Sequence, residues 1–543
     1  MSLLRFALSL LLVASCGGAQ DLVLRGVHVW TGSDEPWPDD QLVVVDGRIQ
    51  PPHAPVPEGA TLVELRGAFV FPGLHDAHAH LRGLGESLRS VDLVGTRSYA
   101  EVIERVAARA KTTPKGDWIL GRGWDQNDWP VAAFPEHAEL SRAVPDHPVF
   151  LVRVDGHAAL ANRRALELAG VSAATAAPAG GEVHRDAQGE PTGVLIDHAT
   201  ALVGGQIPDA SPAQLEAALL AAHDACVRHG LTCVHDAGMG ELELEVVRAL
   251  IVAGRWRLRV HAMLPADELA AIERGPWQTP DGTLVVRAVK AYADGALGSR
   301  GAALLAPYSD QPGTRGLLLT PKARLEQIAR LCVARGFQLC THAIGDAANR
   351  AVLDAYAAAV PEAERARVRF RIEHAQVVHA DDFARFAAQH VIPSMQPTHL
   401  TSDMPWAPQR LGADRIDGAY AWTRFLGLGL RLPLGSDFPV ESVDPRLGFY
   451  AAITTKAPDG SGPPEGFRPS GVLDRRTALK GFTADAAYAA FAERELGTIE
   501  PGKRADFTIL DRDLATCAPE RVLDARVLAT VIGGRIVHRA EAR

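Results

Sequence analysis

Short apolar runs alternate along most of the chain with longer segments in which apolar residues recur every three or four positions. The short runs are typical of buried strands, and the longer segments are typical of amphipathic helices. A helix after each strand indicates a parallel α/β fold. The predicted strands are residues 69–79, 231–236, 258–264, 285–292, 337–342, 368–373, 391–395 and 430–436, and the predicted helices are residues 212–228, 242–253, 321–335, 347–359, 380–389 and 415–426.

The number and spacing of these strands predict a barrel. Eight parallel strands with helices between them close a (β/α)8 TIM barrel. Most neighbouring strands follow one another within roughly 20 to 55 residues, whereas about 150 residues separate the first from the second. We therefore predict an insertion after the first barrel strand, at about residues 85–210, that lies over the barrel mouth.

Both ends of the chain contain short β-type runs separated by turn signals such as Asp46-Gly47 and Gly533-Gly534. Chain termini often lie close together at a domain surface, and a small set of strands needs a partner to bury its face. We predict that residues 21–67 and 490–543 form one composite β-sandwich domain, and that residues 68–489 form the barrel domain.

The composition is that of a folded globular protein. Of 543 residues, 47% are hydrophobic and 22% are charged, which leaves no room for extensive disorder. The formal charge of −9 is not gathered into runs, and no basic cluster with interleaved aromatic residues occurs. This excludes nucleic acid as an expected partner, while homo-oligomerisation stays open.

The first residues have the pattern of an export signal. A short basic start is followed by an apolar stretch from Phe6 to Val13 and then by Ala14-Ser15-Cys16. Residues 13–16 also resemble the bacterial lipobox, which predicts a lipoprotein-type signal peptide at residues 1–15 and a tether at residues 16–20. The expected location is the cell envelope, with membrane contact only through a lipid on Cys16, in the outer membrane or facing the periplasm. An ordinary cleaved signal with an incidental cysteine is the alternative.

Potential metal ligands follow the predicted strands. His78 and His80 close the first strand two residues apart, so their side chains point to the same side. The carboxyl ends of barrel strands meet at one mouth, where distant residues become neighbours. Imidazoles together with a carboxylate suit zinc. Later strands end on three further candidates of the same kind and on a lysine: His342, His374, Asp437 and Lys290.

Around these residues the chain resembles the amidohydrolase superfamily, specifically amidohydrolase family 3 and its branch of N-substituted formamide deformylase-like, YtcJ-type metal-dependent hydrolases. The resemblance covers nearly the whole chain after the signal. It is carried by residues 72–81 (PGLHDAHAHL), 121–125 (GRGWD), 155–157 (DGH), 234–238 (VHDAG), 290–300 (KAYADGALGSR), 342–347 (HAIGDA), 373–376 (EHAQ), 394–397 (SMQP), 435–439 (GSDFP) and 496–507 (LGTIEPGKRADF).

The resemblance implies a metal site, with Zn2+ as the expected cofactor and iron, manganese or cobalt left open. It also implies that Lys290 is carbamylated and bridges two ions. An unmodified ammonium would repel a metal, so the alternative is a salt bridge from Lys290 to Asp294 or another acid, with a single ion. The implied ligands are His78, His80, Lys290, His342, His374 and Asp437.

The expected chemistry is attack of metal-bound hydroxide on an amide carbon, since zinc lowers the pKa of bound water from about 15.7 towards 7. Asp437 is the expected catalytic base and then acid, which moves the proton of the water to the departing amine. As an alternative, His342 or His374 stabilises the oxyanion if it binds the metal weakly.

Further residues are candidates for substrate binding, because an apolar pocket with a few polar anchors is typical of small-molecule sites. Arg300 would anchor a substrate carboxylate. Ordinary packing is the alternative for each tryptophan, and a surface role is the alternative for Arg300. The candidates are Trp124, Asp125 and His157 in the insertion, Arg300 after the fourth strand, and His399 and Trp406 after the seventh.

Together these observations predict an exported, lipid-anchored, metal-dependent amidohydrolase. Its expected substrate is a small molecule with a non-peptide C–N bond: an N-substituted amide, a formamide or a cyclic amide. A peptidase or lactonase using the same site, or a catalytically silent envelope binding protein that keeps the fold, is the alternative.

Overall fold

The computed structural model describes residues 21–126, 129–131, 133–153, 158–178, 181–208 and 210–541. The predicted signal, Cys16 and His157 lie outside these residues. The strands are β1 Leu22–Val29, β2 Gln41–Val45, β3 Arg48–Ile49, β4 Thr61–Pro72, β5 Leu74–Ala79, β6 Val91–Asp92, β7 Ile119–Trp124, β8 Val149–Arg153, β9 Ala158–Ala161, β10 Gly181–Arg185, β11 Pro191–Asp197, β12 Leu231–Asp236, β13 Arg259–Pro265, β14 Trp277–Gln278, β15 Leu284–Tyr292, β16 Gln338–Ala343, β17 Arg371–His374, β18 Ile392–Ser394, β19 Phe507–Leu510, β20 Val527–Ile532 and β21 Arg535–Arg539.

Helices follow many of the strands. In the part of the chain that is described, none of them is both long enough and apolar enough to cross a bilayer. The α-helices are α1 Leu81–Arg89, α2 Tyr99–Ala110, α3 His137–Ala143, α4 Arg163–Leu168, α5 Thr200–Gly204, α6 Pro212–Arg228, α7 Glu241–Val252, α8 Leu269–Glu273, α9 Lys322–Arg335, α10 Asp346–Ala359, α11 Arg365–Val368, α12 Phe383–Ala388, α13 Pro397–Asp403, α14 Ala407–Leu411, α15 Ala413–Ile416, α16 Trp422–Gly427, α17 Pro445–Thr454, α18 Arg475–Gly481 and α19 Ala484–Ala489.

The chain divides into two compact units. The first combines the chain up to His80 with the chain from His223 onward, and the second spans Leu81–Ala222. The first unit therefore contains the barrel and both chain ends. The second unit is inserted directly after the first barrel strand.

The barrel wall consists of parallel strands in the order β18-β17-β16-β15-β13-β12-β5. Residues 433–438 close it, although no regular strand is assigned there. On one side Met395 N donates to Pro433 O at 3.1 Å, and on the other Asp437 N donates to His78 O at 2.7 Å. This confirms the predicted α/β (β/α)8 TIM barrel, with an irregular segment in place of the predicted eighth strand.

The closing segment fits closely against β5. A Cβ at Gly435 would lie 2.5 Å from the backbone nitrogen of His78, so a glycine is required there. The buried Asp76 carboxylate accepts bonds from Ser436 N at 3.0 Å, from Ser436 Oγ at 2.6 Å and from His78 N at 3.1 Å. These bonds fix the backbone that carries Asp437 beside the backbone that carries His78.

The first predicted strand, residues 69–79, is two strands in the structure. β4 continues to Pro72 and pairs with β1 and β19, whereas β5 begins at Leu74 and pairs with β12. Gly73 separates them where a Cβ would lie 2.2 Å from Thr232 Oγ1. A continuous apolar run thus conceals the point at which the chain passes from one sheet to the other.

The strands from the two chain ends form one seven-stranded sheet in the order β21-β20-β19-β4-β1-β2-β3. Residues from both ends share one buried core, including Leu24, Val44, Val70, Phe507 and Val531. The predicted composite β-structure is therefore present.

One predicted helix is wrong. Residues 415–426 are divided between the end of α15 and most of α16, because the chain between these two short helices pairs with residues that follow β17. Val378 N donates to Gly418 O at 2.9 Å, and Tyr420 N donates to Gln376 O at 2.8 Å. These bonds replace the helical hydrogen bonds that the apolar periodicity suggested.

The second unit has its own six-stranded sheet, in the order β10-β11-β9-β8-β7-β6. Its core on one side includes Trp124, Leu140, Leu151 and Val194. The apolar runs around residues 118–121 and 149–152 become β7 and β8, which pair in parallel.

Candidate metal centre

Two histidines and an aspartate converge at the carboxyl ends of the barrel strands. His80 Nε2 lies 3.1 Å from Asp437 Oδ1, and His78 Nε2 lies 3.6 Å from the same oxygen. His78 and Asp437 are buried, whereas the His80 side chain is 31% exposed. Their ligand atoms lie within 4.8 Å of one another.

His78 is held by a buried carboxylate. Its Nδ1 donates to Glu373 Oε2 at 2.6 Å, and Arg371 pairs with the other oxygen of Glu373 at 2.7 Å. Burial alone would raise the pKa of Glu373, but Arg371 and His78 hold it well below its usual range. Because Nδ1 carries the donated proton, Nε2 is the unprotonated ring nitrogen, and Asp437 Oδ1 lies 3.6 Å from it.

Lys290 lies against the same imidazole. Its Nζ is 3.1 Å from His78 Nε2, and the side chain is almost completely buried. Burial lowers the pKa of Lys290. Burial also lowers the pKa of His78 to about 4, and the charge of Lys290 is the second cause of that shift. No ion pair joins Lys290 to Asp294, although the structure describes both. Glu373 and Asp437 are the acids whose charges act on Lys290, so an interaction with another acid stays an alternative.

His374 ends β17 and follows the same pattern as His78. Its Nδ1 donates to Gln396 Oε1 at 2.8 Å, which leaves Nε2 as the free ring nitrogen. Its backbone has a φ of 71°, so the strand turns sharply at this residue. Burial, with His342 as the next cause, lowers the pKa of His374 well below its usual value and keeps the ring neutral.

His342 lies beside His374, with ring centres 4.5 Å apart. Its Nε2 is 3.6 Å from Asp294 Oδ1, and Asp294 is itself bonded to the backbone nitrogens of Ile344 and Gly345. Burial lowers the pKa of His342 to about 3, with Lys290 as the next cause. Among the described residues, His342 belongs to none of the groups of three whose ligand atoms lie within 4.8 Å of one another.

His399, which the sequence suggested for substrate binding, contacts Asp437 from the other side. Its Nε2 is 3.4 Å from Asp437 Oδ2, and its Nδ1 is 3.3 Å from Glu441 Oε1. Burial opposes a charge on this ring, but Asp437 and Glu441 raise the pKa of His399 to about 10. His374, His399 and Asp437 form a second group with ligand atoms within 4.8 Å of one another.

The comparisons with known proteins agree with this geometry. The sequence profile of the amidohydrolase family matches residues 61–538. The chain belongs to the amidohydrolase family. YtcJ of Bacillus subtilis (strain 168), whose name assigns it to the amidohydrolases, is 34% identical over 486 residues, which cover 88% of this chain and 90% of YtcJ.

Two further relatives are informative. N-substituted formamide deformylase of Arthrobacter pascens is 28% identical over 500 residues, which cover 88% of this chain and 89% of that enzyme. The crystal structure of an uncharacterized metal-dependent hydrolase from Pyrococcus horikoshii OT3 superposes with a TM-score of 0.77 at 28% identity, over 92% of this chain and 99% of that one. This amidohydrolase is thus a metal-dependent hydrolase by family.

The donor set of this amidohydrolase fits a metal ion. His78 and His374 each have Nδ1 bonded to a side-chain oxygen, and Asp437 Oδ1 is buried without a hydrogen-bond partner among the described residues. Imidazoles oriented in this way, with a carboxylate nearby, are the usual ligands of zinc.

A further group of histidines lies inside the barrel wall. The rings of His75 and His235 are 5.9 Å apart, and those of His235 and His261 are 5.3 Å apart. Arg371 Nη1 donates to His235 Nδ1 at 3.0 Å, so Nε2 of this neutral ring carries the proton. His75, Cys233 and His235 are close enough to hold an ion. The proton on His235 Nε2 and the Arg371 bond at Nδ1 leave this ring no lone pair for a metal, which argues against an ion here.

Other predicted substrate contacts have partners of a different kind. Arg300 bonds Asp310 through Nη2 at 2.8 Å, and Arg410 bonds the same carboxylate, so the Arg300 guanidinium is already engaged. The Trp406 ring packs against Gly298, so that a Cβ added at Gly298 would lie 3.2 Å from the ring. The Arg410 guanidinium lies over the same ring. A role of Trp406 at the substrate stays a prediction.

The insertion residues belong to the second unit. Trp124 is 1% exposed in its core and donates from Nε1 to Leu151 O at 2.8 Å, so its indole is a packing residue, as the alternative held. Asp125 pairs with Arg153 at 2.6 Å. Substrate binding by His157 stays a prediction, since this residue is not among those described.

Sequence reasoning missed the residues that orient the histidines. Glu373 and Gln396 stand in the quoted segments EHAQ and SMQP, so a signal for them existed. Arg371 stands two residues before Glu373 on β17, so their alternation on one face of the strand is a signal that was overlooked. Glu441 carries no comparable signal, since its partner His399 is 42 residues away.

Proposed function

We propose that this protein hydrolyses a non-peptide C–N bond in an N-substituted amide, a formamide or a cyclic amide, and that its metal is zinc. The observation that carries the proposal is the approach of His78 and His80 to one oxygen of Asp437, at 3.6 and 3.1 Å. Two ligands of a tetrahedral zinc, each about 2.0–2.1 Å from the ion, are about 3.3 Å apart.

The proposed ligands are the strand-end residues that the sequence suggested. His78, His80, His374 and Asp437 supply imidazole and carboxylate donors, and His342 lies next to His374. When bound, zinc would lower the pKa of a coordinated water towards about 7 and polarise the substrate carbonyl.

Lys290 is a ligand in this proposal only as its carbamate. The ε-amine is buried 3.1 Å from His78 Nε2, and burial lowers its pKa, which favours the neutral amine that reacts with carbon dioxide. The carbamate would place a negative charge beside the histidines. One ion or two remain compatible with the site.

Asp437 is the proposed proton carrier. It is ionised, because burial would raise its pKa but His399 and His80 hold it well below its usual value. Its carboxylate can take the proton of the attacking water and deliver it to the departing amine, which is typically worth about 10²–10⁴-fold in rate. As the second assignment, a weakly ligated His342 or His374 would stabilise the developing oxyanion.

The substrate class rests on the relatives. An N-substituted formamide deformylase matches 88% of this chain, which supports an N-substituted amide or formamide in preference to a peptide.

We also propose export and a lipid anchor on Cys16. The test compares membrane fractionation of the unchanged protein and of Cys16→Ser. Equal fractionation of the two proteins with the membrane would contradict the proposed lipid anchor.

The test is metal quantification together with a screen of N-acyl, N-formyl and cyclic amide compounds. We expect at least one equivalent of zinc and chelator-sensitive hydrolysis that returns when zinc is restored. Turnover of dipeptides or lactones in place of these amides would favour the peptidase or lactonase. A protein that holds under one equivalent of metal and hydrolyses nothing would favour the binding protein.

A further inference from the structure

Tyr292 is an exposed aromatic residue beside the candidate metal centre. It ends β15, its Cα is paired with that of His342 on β16, and the two rings are 5.5 Å apart. Its ring centre also lies 4.8 Å from Lys290 Nζ. Although it lies this close to the centre, Tyr292 is 44% exposed. An aromatic face is thus accessible to a molecule that reaches the candidate ligands.

Leu318 lies on the same side of the chain as Tyr292. It forms an antiparallel bridge with Asp294, and residues opposed in such a pair present their side chains to one side. Tyr292 shares that side because it stands two residues before Asp294. Asp294 Oδ1 is 3.6 Å from His342 Nε2, so this side faces the centre. Leu318, which is 37% exposed, therefore faces the barrel mouth together with Tyr292.

The residue before Leu318 provides a comparison within the same segment. Leu317 is also exposed, but neighbouring residues in extended backbone point to opposite sides, so Leu317 faces away from Tyr292. Leu319 N donates to Ala293 O at 2.8 Å, which holds the segment against the end of β15. One leucine of this segment is thus directed to the centre and its neighbour is not.

The candidate ligands themselves are polar. Sites for small molecules are mostly apolar, with a few polar groups that orient the ligand. Trp124, which the sequence suggested for this purpose, is a core residue of the second unit. Tyr292 and Leu318 add apolar surface next to the polar ligands.

We propose that Tyr292 and Leu318 contact the substituent on the amide nitrogen, and that the preferred substrates carry an apolar group of several carbons there. In a formamide the carbonyl carbon bears only hydrogen besides its nitrogen, so the N-substituent is the part that can bury apolar surface. This inference rests on the proposed function, which sets the amide carbonyl at the metal.

The experiment measures kcat/KM of the zinc-loaded whole protein for N-methyl-, N-ethyl-, N-propyl- and N-butylformamide. Burial of one methylene is worth about 0.8 kcal/mol, which corresponds to about fourfold in kcat/KM. We therefore expect a rise of about fourfold per methylene and of roughly 60-fold over the series.

Tyr292→Ala and Leu318→Ala should each reduce the rise to about twofold per methylene, because part of the apolar contact is lost. The loss should come mainly from a higher KM for N-butylformamide. Tyr292→Phe keeps the ring and should keep the rise. Leu317→Ala is the matched control and should also keep it. Zinc is measured on the same preparations, and Leu318→Ala decides the question if Tyr292→Ala loses metal.

Equal kcat/KM values for the four formamides in the unchanged protein would overturn this inference and leave the proposed function intact. Hydrolysis of cyclic amides without hydrolysis of formamides would have the same consequence. An equal effect of Leu317→Ala and Leu318→Ala would also overturn it, since the side to which each leucine points would then not matter. Failure to hydrolyse any amide in the presence of zinc would overturn both proposals.

Discussion

Glu373 accepts a hydrogen bond from His78 Nδ1 at 2.6 Å inside the barrel, where neither side chain is exposed by more than 1%. The bond fixes which ring nitrogen of His78 carries the proton and which faces the metal centre. Arg371 balances the charge of Glu373 and also contacts Ala77 O and Ser394 Oγ, both at distances under 3 Å. The direction of the His78 ring is thus set by a buried ion pair beneath it.

Replacement of Glu373 by Gln should weaken metal binding by about 10–100-fold, because the orienting carboxylate of His78 is lost. It should also lower the free energy of unfolding by about 3–5 kcal/mol, because the buried charge of Arg371 loses its partner. Zinc titration and urea unfolding of the metal-free protein measure the two effects.

Glu326→Gln is the matched control for that substitution. Glu326 pairs with Arg330 one helical turn away on the surface of α9, and such pairs contribute only about 0.3–0.5 kcal/mol. Equal losses in the two variants would show that the Glu373 pair has no special role.

Removal of the carboxylate charge at the centre should separate metal binding from turnover. In Asp437→Asn we expect kcat to fall by about 10²–10⁴-fold, since the proton carrier is lost, while the ion held by His78 and His80 remains. In His80→Ala, that ion and the activity should both be lost. Kinetics and zinc content are measured on the same preparations, and an Asp437→Asn enzyme with full activity would exclude the proton-transfer role.

The barrel was predictable from the sequence because its strands are apolar runs with regular spacing. The predicted strand 231–236 coincides with β12, and the predicted helix 212–228 coincides with α6. The division at Gly73 and the irregular closing segment at residues 433–438 were not predictable, because both depend on contacts with Thr232 and His78 that are distant in sequence.

The proposed metal ligands were easier to predict than the groups that orient them. A histidine or aspartate at the end of an apolar run has a recognisable position, so His78, His374 and Asp437 could be proposed from the sequence alone. Arg371 faces the barrel interior, where an apolar residue is the usual expectation. Its position two residues from Glu373 on one strand predicts that the two side chains share a face, but only the fold brings the pair to His78.

Acid should destabilise the barrel through its buried histidines. Burial lowers the pKa of His75 to about 4 and that of His261 to about 3, so both rings are neutral in the folded protein. In the unfolded chain they take up protons near pH 6.5. Stability is therefore greatest above about pH 6.5 and falls as the pH decreases towards 4, by about 3 kcal/mol for His75 alone.

This pH dependence is measured by urea unfolding of the metal-free protein between pH 7 and 4. His75→Gln should reduce the loss of stability in that range, because the chain takes up one proton fewer on unfolding. His379→Gln, at an exposed position, serves as the control and should leave the slope unchanged. A His75→Gln protein with the slope of the unchanged protein would contradict the prediction.

The close approach of Gly435 to β5 makes the metal centre sensitive to a single methyl group. In Gly435→Ala the added Cβ would lie 2.5 Å from His78 N and 2.7 Å from Asp76 Oδ1. Because backbone cannot yield easily, the segment that carries Asp437 must move away from His78, at a cost of about 1–3 kcal/mol. We expect a lower unfolding midpoint and weaker zinc binding. Gly427→Ala is the control, since no atom lies within 4 Å of its added Cβ; weak zinc binding in that variant as well would show that the effect is not specific to the contact with His78.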